Sequence, residues 1–95
     1  MENKHKAVAI NYSDNKKIPE ILAIARGILA DRLLEVAKKM NIPIYKDSNL
    51  AESLSLLDVG IEIPPDLFQA MAEVLSYCFQ INEKFRKKII SDNNS

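Results

Sequence analysis

Residues 42–79, IPIYKDSNLAESLSLLDVGIEIPPDLFQAMAEVLSYCF, decide how the rest of the chain is read. Residues 42–46 are rich in isoleucine and carry Pro43 near their start, where a missing amide donor is tolerated. They predict a short buried strand. Asp47 or Ser48 then offers a side-chain oxygen to the open amides of a helix that turns Leu50, Ala51, Leu54 and Leu57 inward. Asp58, Val59 and Gly60 end that helix. Val59, Ile61 and Ile63 alternate, and read equally as a third short strand or as an extended turn. Pro64, Pro65 and Asp66 open a last helix, since proline suits a first turn and an acid suits the positive end of the helix dipole. Leu67, Phe68, Met71, Val74, Leu75, Cys78 and Phe79 recur every three or four residues as its inner stripe. No nucleophile, metal cluster or phosphate loop interrupts this stretch.

Toward the N-terminus, residues 7–12, AVAINY, are almost continuously apolar, which predicts a strand covered on both faces. Residues 13–17, SDNKK, are polar and turn-like and end it. A long helix is expected from Pro19 to Met40, with Ile21, Ala25, Ile28, Leu29, Leu33, Val36, Ala37 and Met40 on its inner face. Lys38 and Lys39 suit its last turn, and Asn41 can take the left-handed conformation that stops it. Gly27 falls inside this helix at a cost of about 1 kcal/mol relative to alanine. Close approach to another backbone is the expected compensation. Strand, helix and strand then make a right-handed crossover between parallel strands. Toward the C-terminus, the periodicity allows the last helix to run on through residues 81–90, with Phe85 and Ile89 loosely in phase. Residues 91–95, SDNNS, read as a disordered tail.

The expected fold is α/β: one small domain over residues 1–95, ordered over about residues 5–82. Its short mixed or parallel sheet, in the order β-α-β-α-(β)-α, is flanked by helices. Apolar residues are 47% of the chain, enough for a modest core. Lysine plus arginine equals aspartate plus glutamate at 13 each, which argues against a general nucleic-acid binder that must displace phosphate counterions. A lone cysteine, Cys78, excludes an internal disulfide and a cysteine-based zinc site, and it reads as a small core residue. No apolar run approaches the roughly 20 residues of a membrane span, and MENKHK has no signal-like apolar region, so a cytoplasmic chain is expected.

The chemistry-bearing residues do not assemble into a catalytic site. His5 is the lone histidine and reads as an exposed residue of a polar N-terminus. Asp14, Asp47 and Asp58 stand at element ends, where caps and turns want carboxylates. Ser48, Ser53 and Ser55 lack a nucleophile-elbow context, and two glycines cannot build a phosphate loop. Lys84, Arg86, Lys87 and Lys88 form the densest cationic run. A solvated face is the default reading for it, and an acidic partner or membrane surface is the sharper one. No enzyme, cofactor or metal is expected.

Five motifs, taken together and in order, carry a resemblance. They are HxAVAIxY at residues 5–12, ARGILADR at 25–32, IPIYKD at 42–47, LAESL at 50–54, and VGxEIPPDLFxAMAEVLSY at 59–77. In this order and spacing the chain resembles the C-terminal cytoplasmic domain of the FlhB family, the substrate-specificity switch of flagellar type III export, over roughly residues 4–80.

Full-length members of that family carry four transmembrane helices before the domain. They also carry an Asn-Pro-Thr-His motif that cleaves itself when the asparagine amide attacks its own carbonyl. Aligned on His5, the four slots hold Glu2, Asn3, Lys4 and His5. A glutamate carboxylate cannot supply the amide nitrogen, and Asn3 is one place late with no proline after it, so no autocleavage is expected.

The resemblance implies a stand-alone module equivalent to the cleaved C-terminal fragment. It would join the cytoplasmic face of the export gate through the FlhB transmembrane part, and bind export substrates or the hook-length control protein. It would meet the membrane only through that gate. A shallow apolar recess implicated in substrate docking maps onto Ile18, Pro19, Ala72 and Leu75, at the start of the long helix and on the last one. A regulatory decoy that binds substrates or the hook-length ruler is the alternative. A small nucleic-acid binder using residues 84–88 is a more distant one.

Overall fold

The computed structural model describes residues 4–11, 18–82 and 87–91. Strand β1 (Lys6–Asn11) turns back into β2 (Glu20–Arg26), which leads directly into α1 (Ile28–Lys39). Strand β3 (Ile44–Lys46) and α2 (Ser48–Ser55) follow. A 3-10 turn (Pro65–Leu67) then opens α3 (Phe68–Asn82), and β4 (Lys87–Ser91) completes the set. The four strands form one sheet in the order β2-β1-β4-β3. β1 runs antiparallel to both neighbours, and β3 runs parallel to β4. The fold is α/β with a mixed sheet, as the sequence predicts.

Alternation along the strands builds two cores, one on each face. Ala7 and Ala9 of β1 and Ile89 of β4 meet Ala30, Leu34 and Ala37 of α1. Val8, Ile10, Ile21 and Ile90 face the other way and meet Leu50, Ala51 and Leu54 of α2, Met71 and Val74 of α3, and Ile63. β1 is therefore buried on both sides, as its unbroken apolarity predicts. The α1 face is lined largely by alanine, so this helix can approach the sheet closely. On β2 a bulge sets Ile21 opposite Ile10 while Ala23 stays opposite Ala9, leaving Leu22 as the extra residue.

Local signals behave as expected at several element ends. Asp47 caps α2, its carboxylate accepting from the Leu50 amide at 3.0 Å. Asn41 adopts φ 59° just past α1, and Lys38 and Lys39 occupy its last turn. Residues 60–63 are laced to the start of β2. Ile21 donates to the Ile61 carbonyl at 2.9 Å, Gly60 to Ile21 at 2.7 Å, and Ile63 to Pro19 at 2.9 Å. The alternation of Val59, Ile61 and Ile63 thus becomes a single bridge, between Glu20 and Glu62.

Four expectations are corrected. Residues 20–26, read as the first half of a long helix, form β2. An apolar run that short fits either period, and only pairing with β1 selects the strand. β1 and the strand at residues 44–46 are consequently not parallel neighbours; the parallel pair is β3 with β4. Gly27 is no mid-helix residue but the N-cap of α1, at φ 62° and ψ −130°. Residues 87–91 are not helix or tail but a strand in the middle of the sheet, with Ser91 fully buried, so the ordered core extends past residue 82.

The inner stripes shift with these boundaries. α1 buries Ala30, Leu34 and Ala37 and leaves Ile28, Leu29, Val36 and Met40 exposed, Leu29 by 66%. Phe68, expected inside, is exposed at the start of α3. The side chains of Cys78 and Phe79 lie outside the described residues, as do Asp14 and the turn at 13–17, Lys84, Phe85, Arg86 and residues 92–95.

Candidate functional site

The docking residues expected on the resemblance fall into two groups. Pro19 is buried just ahead of β2, and its carbonyl holds the Ile63 amide at 2.9 Å. Ile18 is half-buried and packs against the core that contains Ile63, Met71 and Val74. These two residues lead into β2 rather than into a helix. Leu75 is half-buried on α3, and Ala72 is exposed.

Ala72 lies instead in a depression formed by one face of α3, with Gln69, Glu73, Ser76 and Tyr77, enclosing about 580 Å³ open to solvent. These positions recur at three- and four-residue spacing around Ala72, the same period that carries Met71 and Val74 to the opposite, buried side. That period was the signal for Gln69, Glu73, Ser76 and Tyr77, which the sequence reading did not single out. The Tyr77 ring meets Tyr45 of β3 edge to face, with centroids 5.3 Å apart and planes at 73°, which fixes one wall of the depression. A methyl floor, an aromatic wall, an amide, a hydroxyl and one carboxylate can accept a polypeptide side chain. They offer no constellation for covalent chemistry. Among the described residues no group of three or more histidine, cysteine, aspartate or glutamate side chains could hold a metal ion.

The degenerate cleavage slots are placed in part. Glu2 and Asn3 lie outside the described residues, and Lys4 is exposed. His5 keeps a side chain 45% exposed, and its Nδ1 lies 2.8 Å from a carboxylate oxygen of Asp31. Its carbonyl accepts the Gly27 amide at 2.8 Å, so the entrance to β1 is tied to the β2–α1 junction. Nearby, Lys6 pairs with Glu52 of α2 at 2.7 Å, and the Arg26 guanidinium donates to the Ser55 carbonyl at the end of α2. Through Asp31 and Gly27, His5 joins the start of β1 to the start of α1.

Among the described residues no helix is long and apolar enough to cross a membrane. The sequence matches the family model described as the FlhB HrpN YscU SpaS family over residues 1–78. It is 36% identical to the uncharacterized protein YlqH of Bacillus subtilis, over 87% of this chain and 90% of that protein. It is 34% identical to the flagellar biosynthetic protein FlhB of Aquifex aeolicus, over 88% of this chain and 23% of that protein. The FlhB of Escherichia coli is also 34% identical, over 81% of this chain and 21% of that protein. The chain therefore spans less than a quarter of these two FlhB relatives and nearly all of YlqH. With a family match over most of its length, the chain belongs to the FlhB HrpN YscU SpaS family.

Proposed function

We propose that this protein is a non-catalytic component of flagellar or type III protein export, acting as the C-terminal part of FlhB does in selecting export substrates. Membership of the FlhB family over residues 1–78 carries this reading. The export gate, through the membrane-embedded part of an FlhB protein, is its site of action, on the cytoplasmic side. Export substrates or the hook-length control protein are its ligands. Ile18, Pro19, Ala72 and Leu75 are the docking positions, and the depression around Ala72 on α3 is the open surface that supports a docking role. Because Glu2, Asn3, Lys4 and His5 fill the cleavage slots, the chain stays whole where an Asn-Pro-Thr-His sequence would break.

The test is rescue. The chain is expressed in cells whose FlhB is truncated at the cleavage motif, and motility and exported proteins are scored. Restored export is the expected result, and the exported class reports the specificity state. A stable protein that gives no rescue, and does not bind an FlhB core lacking its own C-terminal fragment, overturns the reading in favour of a decoy away from the gate. Mass spectrometry of the purified chain after prolonged incubation checks cleavage separately, and the intact mass is expected.

A further inference from the structure

The family match and the sheet end in different places. The match covers residues 1–78, yet the strand between β1 and β3 is β4, at Lys87–Ser91. Without β4 the matched residues enclose a slot. One wall is residues 7–11 of β1, which pair antiparallel with β4; the other is residues 44–46 of β3, which pair parallel. The Ile89 amide donates to the Pro43 carbonyl at 3.0 Å and the Asp47 amide to the Ser91 carbonyl at 2.9 Å, extending the hydrogen bonding beyond both ends of β3.

The slot also has an apolar pocket on each face. Ile89 fills one among the alanines of β1 and α1, and Ile90 fills the other against the α2 and α3 side; both are at most 2% exposed. Buried backbone groups without partners are costly, so the slot that residues 1–78 leave between β1 and β3 must be filled by a strand. The FlhB relatives carry most of their length outside the region that matches this chain.

We propose that the slot between β1 and β3 is an exchangeable strand-binding site, held by this chain's own β4 and open to an extended segment of an FlhB-family export protein bearing two consecutive aliphatic residues. Recognition is by strand addition: main-chain hydrogen bonds supply affinity, and one aliphatic pocket on each face sets the register. The choice of partner rests on the export reading above; the exchange itself does not.

A fluorescein-labelled peptide of residues 84–94, KFRKKIISDNN, incubated with the full chain tests the exchange by anisotropy. Saturable binding is expected, displaced by unlabelled peptide and not by a peptide carrying Ile89→Asp and Ile90→Asp. Substituting Ile89→Ala in the chain's own strand raises peptide affinity by at least about tenfold. Ile89→Val serves where the alanine chain does not fold. No binding to the wild-type chain or to a folded variant overturns the proposal.

Overlapping peptides covering the host's FlhB-family export protein, outside the matched region, then compete with the label. Displacement by a segment with paired aliphatic residues supports the partner. Displacement by none overturns it, and dimerisation of the chain with rising concentration assigns the slot to a second copy. The anisotropy arm uses only this chain and its own peptide, so its failure is distinct from failure of export rescue.

Discussion

At Gly27 the backbone adopts φ 62° and ψ −130°, a conformation that a side chain disfavours. It lets β2 turn into α1 without a loop while its amide reaches the His5 carbonyl. Gly27→Ala is expected to cost about 1–3 kcal/mol, read as a lower denaturation midpoint in urea. Asp47 acts on one helix end alone, and Asp47→Ala should cost about 1 kcal/mol with an unchanged denaturant slope. The two residues differ in legibility. A carboxylate three places before Leu50 announces its cap in the sequence, because the hydrogen bond is local. Gly27 reads in the sequence as a costly residue inside a helix, because the strand that precedes it exists only when β1 lies alongside.

At the scale of the element, α1 separates apolar pattern from burial. Ile28, Leu29, Leu33, Val36 and Met40 repeat at helical spacing, yet the face against the sheet is Ala30, Leu34 and Ala37. Small residues win that face because the helix sits close over Ala7 and Ala9. Leu34→Ala should cost about 2–5 kcal/mol, whereas Leu29→Gln, at an exposed position, should stay within about 0.5 kcal/mol. Equal losses from both in thermal or urea unfolding would contradict this assignment of faces. The depression on α3 is legible in the same way once its inner stripe is known: Ala72 and its neighbours occupy the remaining side of a helix whose Met71 and Val74 are buried. Ile18 and Pro19 stand in a strand lead-in rather than at a helix start: the Pro19 carbonyl holds the Ile63 amide, and Ile18 packs on the core that contains Ile63.

The whole molecule depends on a strand far along the chain. β4 joins β1 to β3, and through them the α1 core to the α2 and α3 core. A chain cut after residue 82 is expected to lose its sharp unfolding transition, and wider protection of β1 and β3 amides in hydrogen exchange should fall with it.

The sequence by itself determined the α/β class, the doubly covered β1, the α2 cap, the start of α3 and the family. These depend on local hydrogen bonds, on the apolar period and on motifs in order. Only the tertiary structure decided that residues 20–26 are a strand, which face α1 buries and that residues 87–91 fill the middle of the sheet. The apolar run at 21–25 and the pair Ile89–Ile90 suit helix and strand alike. Their state is chosen by backbone groups on segments distant in sequence, whose hydrogen bonds no local pattern records.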